Sequence, residues 1–489
     1  MTSPLTRRAF LASVTSAALI VGFNPRTRSW ITRTEGAQPG WDQLPKLDGA
    51  LLLDETSRNA LATDGGHYFH RVPLAVLRPL STEDIVKTVR FANAHTLKVA
   101  VRGQGHSQYG QTLVEGGIVI DSSTLNAVKM PAPDTVDTQA GATWNHVTRV
   151  TLVRGLTPPA MGNTMTLSVG GILSVGGWSN SSHLHGSVAD TVQELDVVTG
   201  DGRLLTCSHQ RDAELFDMVL AGMGQCALIV GARIRLVSAP GFVTRRNLLY
   251  DDLKAALADG KQLTARGTCE HLSGTAIRER DGTWSFAIEV GKFHDSSSAV
   301  AWDALTAGLK FKSATTPTTA SYADYLQREA ASNAAIREAR KRNPVHAAFL
   351  TMFIPASAAD DFPARVLATP QETAGAFRIA PVMFDTRRFT RPMFKLPGED
   401  IALVLWMFRT VRKGDVAGYT ALMETNRAML ERMRAAGGKA YPPQVPYSSR
   451  PEWEAHYGPD TWRRLLTAKK TYDPNGILTP GPGMFDAKS

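Results

Sequence analysis

The stretch Val101 to Gln111, V-R-G-Q-G-H-S-Q-Y-G-Q, narrows the choice of fold more than any other part of the chain. Gly103, Gly105 and Gly110 permit positive φ and a close approach of backbone to a ligand. Successive backbone N–H groups in such a loop make an anion nest that suits a pyrophosphate. The spacing is G-x-G-x-x-x-x-G, not the G-x-G-x-x-G of the strand–helix dinucleotide fingerprint. A strand-like run, Gly117–Asp121, follows too soon for the helix that fingerprint requires. An ordinary turn is the plain alternative, and two further runs argue against it. Leu167–Gly177 reads L-S-V-G-G-I-L-S-V-G-G, and Ala221–Ile229 reads A-G-M-G-Q-C-A-L-I. Three glycine-bearing runs within one stretch of alternating strand and helix signals point to backbone packed directly on a ligand.

The flanking pattern predicts an α+β fold. Ser81–Ala94 opens with Ser-Thr-Glu-Asp, a helix N-cap with an acidic first turn, and its Ile85, Val86, Val89 and Ala92 share one side at helical spacing. Strands are predicted at Leu97–Val101, Gly117–Asp121, Val192–Val198 and Ala227–Leu236. From about Val237 to Tyr441 the texture changes to charged helical stretches such as Tyr322–Arg342. Between them lie β-rich runs at Trp284–Val290, Ala348–Ile354 and Ile401–Phe408, which suggest a second α+β domain. Pro-rich Tyr441–Pro446 marks a boundary, and a helix is predicted over Trp453–Thr471 before a Gly- and Pro-rich tail. The expected division is 48–240 and 446–489 as one domain, with 241–445 as a cap over it.

Composition excludes several classes. The chain has 489 residues, 43% apolar and 20% charged, which fits a soluble globular protein of two or three domains. Of the formal charge of +9, residues 1–37 supply +4 through Arg7, Arg8, Arg26, Arg28 and Arg33 against Glu35. The remaining bases are scattered, and the short run Arg337–Arg342 suits a solvated helix face, so no nucleic-acid partner is expected. Cys207, Cys226 and Cys269 form no C-x-x-C pair and no Cys/His cluster with metal spacing, so no metal is expected. At the front, Thr6–Ala12 reads T-R-R-A-F-L-A, and an apolar run from Ala9 to Phe23 is too short to predict a stable membrane span. An arginine pair followed by a mild apolar run resembles a twin-arginine export signal over residues 1–37. That implies a periplasmic or secreted protein.

The order of these pieces resembles the FAD-binding domain of the vanillyl-alcohol oxidase superfamily, and within it the cytokinin dehydrogenases. The resemblance rests on the G-H-S-x-x-G-Q loop and on Gln193–Cys207, Ala213–Gln225, Ala232–Pro240, Tyr322–Leu326 and His346–Ser357. The terminal Y-D-P-N-G-I-L-T-P-G-P-G-M-F also carries it. It implies a two-domain fold with an α+β substrate cap, and FAD attached covalently to the histidine of that loop, here His106. A neutral imidazole is the form that can make such a bond. Relatives with a second attachment carry a cysteine close to the position of Thr164, which is absent here, so one bond is expected. The resemblance also implies that the tail returns to cover the flavin, and that Gly103, Gly105, His106, Ser107, Gln111, Gly170, Gly171, Asp190 and Ile229 hold FAD.

The resemblance implies oxidation of a small organic substrate at a C–H next to N or O, with oxygen or a quinone as the final electron acceptor. It breaks at the substrate. The family's aspartate six residues before the Val-Gly-Gly loop is Asn163 here, and its second acid, a glutamate, is Ser273. An amide cannot take a proton at useful pH. Asn163, Glu270, His271 and His183 are the candidates for the altered acid–base set, with His185 beside them. A solvated strand acid or a polar surface histidine pair is the plain alternative for each. An alcohol or sugar oxidase, or a flavin protein without a substrate, stays open at this point.

Overall fold

A computed structural model describes residues 18–24, 29–34, 40–295, 300–447 and 449–485, the first two as backbone pairing alone. The chain divides into two units, residues 1–46 and 47–489. In the first, Ala18–Asn24 pairs antiparallel with Ser29–Thr34. The arginine pair of the expected export signal lies outside the described residues.

The second unit is built on three main sheets. The first has four strands in the order Ala50–Leu52, Ala75–Arg78, Ile118–Asp121, Val99–Arg102. Ala75–Arg78 and Val99–Arg102 both lie parallel to Ile118–Asp121. Such strands are covered on both faces, and Val76, Leu77, Val99, Ala100, Ile118 and Ile120 are fully buried. The crossover between Ala75–Arg78 and Val99–Arg102 is the predicted helix, observed over Thr82–Ala94. Ser81 and Asp84 close a reciprocal capping box there, and Ile85, Val86, Val89 and Ala92 are buried. The second sheet is antiparallel, in the order Leu204–Ser208, Val192–Thr199, Ala227–Arg235, Thr135–Gln139, Val128–Ala132.

The third sheet has ten strands. Its main path runs Ser313–Ala314, Phe242–Tyr250, Trp284–His294, His271–Arg278, Ala376–Asp385, Ile401–Arg412, Leu350–Pro355, Lys439–Ala440. Helix Leu253–Arg266 packs on it through Leu257 and Leu263, and helix Val416–Ala435 through Met429, Leu430 and Met433.

Two predicted helices are each interrupted. The stretch 322–342 forms Tyr322–Leu326 and Ala330–Arg342, and between them Arg328 turns in to lie over the Tyr325 ring. Trp453–Thr471 falls across Arg450–Tyr457 and Pro459–Tyr472. Gly458 takes φ 75° at the junction, and Pro459 has no N–H to continue the first helix. After the second helix the tail returns to the first sheet. Val99 N–H donates to Ile477 O and Thr479 N–H to Val99 O, both at 2.8 Å. Asp473 fixes the bend by accepting from Ile477 N–H, Leu478 N–H and the Lys469 ammonium.

Candidate flavin site and the polar network beside it

Strand Val99–Arg102 delivers the chain into the glycine loop, and the loop is held from three sides. Asp64 accepts from Gly110 N–H at 2.9 Å. Gln108 Oε1 accepts from Phe349 N–H at 2.8 Å, and Tyr109 O–H donates to Phe349 O at 2.6 Å. Gln111 Nε2 donates to Pro442 O at 2.7 Å. Gly105 and Gly110 have φ of 65° and 71°, and Tyr109 is held at 59°, a conformation unfavourable to a side chain.

The loop forms one wall of a cleft of about 1070 Å³, open solvent in its mouth included. Gly103, Gly105, His106, Ser107, Gln111, Gly170, Gly171 and Ile229 all line it. The three glycine runs of the sequence therefore meet in one place. The opposite wall approaches closely. A Cβ on Gly103 would clash with Ser168 Oγ, and one on Gly170 would stand 2.7 Å from Ala140 Cβ. Two buried oxygens at the cleft, Gln111 Oε1 and Thr112 Oγ1, have no protein partner. A buried polar atom left unpaired is costly, so these positions fit a polar ligand.

The His106 imidazole opens onto the cleft. The surrounding protein replaces part of its hydration, and the positive charge of the nearby Arg340 guanidinium disfavours a second cation. Together they hold its pKa below the ordinary histidine value. It is therefore neutral at neutral pH, with a lone pair to give.

Asp190 lies elsewhere, which corrects its expected place around the flavin. Its carboxylate is consumed by Ser187 N–H and O–H, Thr390 N–H and O–H, and the Arg391 guanidinium. It fastens one segment to another and does not line the cleft. Sequence reading missed Tyr441, Pro443 and Gln444, which line the cleft from within the Pro-rich segment taken only as a boundary. The prolines were the available signal, because a chain stiffened there can serve as a wall.

A polar network stands beside the cleft. Asn163 Nδ2 donates to Asn180 Oδ1 at 3.0 Å, and Arg328 Nη2 donates to Asn163 Oδ1 at 3.0 Å. His271 Nε2 is 2.9 Å from Glu289 Oε2, and its Nδ1 is 2.8 Å from the Tyr325 hydroxyl. Asn180 Nδ2 lies 3.5 Å from either ring nitrogen of His271. Arg245 pairs with Glu289 at 2.8 Å. None of these side chains lines the cleft itself; Asn163 follows Gly162 in the chain, where an added Cβ would stand 3.3 Å from Ile172 Cδ1 of the cleft wall.

The structure thus joins two of the four acid–base candidates, Asn163 and His271. It separates the other two. Glu270 is spent on Lys292 at 2.7 Å and Phe293 N–H at 2.8 Å. His183 is buried and donates through Nε2 to Cys269 O at 2.9 Å, which leaves it a packing role. Glu289, Tyr325 and Arg328 were not singled out from sequence, since only the pairing of separate strands brings them to His271.

Two family models match the chain, one after the other. Residues 73–208 match the family model of an FAD-binding domain, and residues 241–485 match that described as cytokinin dehydrogenase 1, FAD and cytokinin binding. An uncharacterized oxidoreductase of the fasciation locus of Rhodococcoides fascians is 31% identical over 445 residues, covering 90% of this chain and 100% of the relative. Cytokinin dehydrogenase 4 of Oryza sativa subsp. japonica is 30% identical over 490 residues, covering 91% of each. Among solved structures, 6-hydroxy-D-nicotine oxidase from Arthrobacter nicotinovorans superposes with a TM-score of 0.69. It shares 19% identity and covers 90% of this chain and 98% of the other, a likeness of fold.

Proposed function

The chain belongs to the FAD-dependent oxidoreductases of the cytokinin dehydrogenase family, and we propose that it carries FAD covalently on His106 and oxidises a small amine or alcohol at the C–H next to the heteroatom. The observation that carries the attachment is the place of His106: it lines the cleft, on the glycine loop that forms one of its walls, and its pKa is held below the ordinary histidine value. Gly103, Gly105, Ser107, Gln111, Gly170, Gly171 and Ile229 would hold the rest of the cofactor. Bound FAD supplies a two-electron acceptor for the hydride. The chain's own work is to orient the substrate, to exclude water and to accept the proton that the substrate heteroatom loses.

In this reading residues 48–240 and 446–489 hold the cofactor and residues 241–445 cap it. Arg7 and Arg8 direct export, so a double Arg→Lys variant stays in the cytoplasm while the parent is found outside it. Oxygen or a quinone reoxidises the flavin. Peroxide formation in air, measured with and without a soluble quinone, separates the two.

The test of attachment is the absorbance of purified protein before and after acid precipitation, with His106→Ala alongside. The yellow should stay in the wild-type pellet and leave the variant. Yellow that washes out of the wild type removes the covalent bond from the reading.

Substrate class is read by anaerobic bleaching with a panel of cytokinins, other amines, alcohols and sugars. An alcohol has its own support. Asn163, Asn180 and Arg328 present amide and guanidinium groups, which pair as readily with a hydroxyl as with an amine. Bleaching by dithionite alone would leave a flavin protein without an oxidisable substrate.

A further inference from the structure

We propose that Tyr325, His271 and Glu289 form a proton relay that takes the place of the acids missing at positions 163 and 273. The inference rests on the oxidoreductase reading above and names the groups that serve its substrate half-reaction.

Sheet register explains how a carboxylate reaches this spot without residue 273. Ser273 lies directly opposite Glu289 across the strand pair His271–Arg278 and Trp284–His294. Side chains of paired residues share a face, and residues two apart on one strand share it too. Glu289 therefore stands beside Ser273 and on the face that carries His271. The carboxylate has moved one strand over.

The hydrogen-bond directions follow from chemistry. Arg245, paired at 2.8 Å, and the hydrogen bond from His271 keep Glu289 ionised, and a carboxylate only accepts. The proton on the neutral imidazole must then sit on Nε2, facing Glu289 Oε2 at 2.9 Å. Nδ1 is left with its lone pair, so the Tyr325 hydroxyl at 2.8 Å donates to it. The lone pairs of the Tyr325 oxygen remain free to accept another proton. The Arg328 guanidinium, 4.2 Å from the ring centroid of Tyr325, favours negative charge growing on the phenol. The same guanidinium holds Asn163 Oδ1, which ties the relay to the loop bordering the cleft.

The step balances. Oxidation of H–C–X–H, with X nitrogen or oxygen, removes a hydride from carbon, for which the oxidant is the flavin, and a proton from X as the C=X bond forms. The proton passes to the Tyr325 oxygen while the Tyr325 proton passes to His271 Nδ1. The resulting imidazolium is paired with the Glu289 carboxylate until water takes its proton. His271 is fully buried and Tyr325 is 4% exposed, so a proton reaches His271 only by way of the Tyr325 hydroxyl, and His271 is a positioning and relay residue.

The charged and titratable groups facing His271 are Glu289 from the adjacent strand, Arg245 from the strand beyond it, Tyr325 and Arg328 from the helix Tyr322–Leu326 and the turn after it, and His183 from the helix Ser182–His185. Burial lowers the His271 pKa, the two arginines lower it further, and Glu289 opposes them. The relay needs neutral His271, so it works at high pH and fails as pH drops through that lowered value.

The experiment is anaerobic flavin bleaching by isopentenyladenine, or by whichever panel compound bleaches wild type fastest, between pH 5 and 9. Wild type should lose rate on an acid limb. Tyr325→Phe, which deletes one oxygen, should lower the plateau at least tenfold with half-saturation unchanged. Glu289→Gln should lower the plateau and move the acid limb to lower pH, a displacement that simple loosening of the fold does not produce. His271→Gln should abolish the limb. Acid-stable yellow in each variant reports an intact flavin site, and if His271→Gln fails to fold, Tyr325→Phe decides. Wild-type rates with an unmoved limb in both Tyr325→Phe and Glu289→Gln overturn the relay alone. Wild type unbleached by every compound overturns the oxidoreductase reading and the relay with it.

Discussion

Gly65 lies against the backbone of His106. Its N–H donates to the carbonyl of Ser107 at 2.9 Å, and a Cβ at position 65 would stand 2.7 Å from the His106 carbonyl carbon. Backbone cannot yield as a flexible side chain can, so Gly65→Ala must displace the loop that presents His106. Overpacking of this kind costs about 1–3 kcal/mol. Acid-stable flavin per protein should fall several-fold. Gly398→Ala, where an added Cβ meets nothing within 4 Å, should leave it unchanged. Equal flavin in the two variants would show that the loop tolerates the shift.

That contact also marks where sequence reading stops. The glycine loops were legible because glycine density is a local property, and the helix at Thr82–Ala94 was legible because its cap and its apolar spacing agree. Asp64 and Gly65 gave no signal, since their role is to meet a loop about forty residues later in the chain. The same holds for Glu289, which reads as one acid in a β-rich run until the register sets it opposite Ser273. Asp190 was misplaced for the converse reason. An acid in a familiar run was assigned to the ligand, yet Thr390 and Arg391, two hundred residues on, had already engaged it.

Asp190 and Arg391 make a separate prediction. Their side chains are 7% and 6% exposed, and the carboxylate receives both Ser187 donors and both Thr390 donors. Arg391 keeps Asp217 at 3.6 Å when Asp190 is removed, so the cost falls below the roughly 3–5 kcal/mol of a wholly uncompensated buried charge but includes the four stranded donors. Asp190→Ala should lower the urea midpoint strongly while the protein that remains folded keeps acid-stable flavin. Loss of flavin at an unchanged midpoint would return Asp190 to the cofactor.

Attachment of flavin should itself depend on pH. The bond needs neutral His106, whose pKa lies below the ordinary value because surrounding protein limits its hydration and Arg340 adds a cation. Flavin-free protein mixed with FAD should therefore gain acid-stable yellow at a constant rate above pH 6.5 and lose rate below it. In Arg340→Gln the cation is gone, proton affinity rises, and the midpoint should move to higher pH. A midpoint that stays fixed in Arg340→Gln would rule out His106 as the group being titrated.

The last prediction concerns stability. His183 is buried, donates to Cys269 O, and has its pKa lowered to about 4 by burial, against an ordinary value of 6.5. Between these values the unfolded chain binds a proton that the folded chain refuses, so stability rises with pH across this window and falls as pH drops below 6.5. At pH 5 the loss from this one residue is roughly 2 kcal/mol. His456, buried with its pKa also lowered, acts in the same direction. Urea midpoints measured at pH 5 and pH 7 should differ clearly in the parent. In His183→Gln, which removes the titrating ring and keeps a donor for the Cys269 carbonyl, the difference should shrink but not vanish, because His456 still titrates. An undiminished difference in that variant would mean that His183 is already protonated in the folded chain, and the Cys269 carbonyl would then be holding an imidazolium.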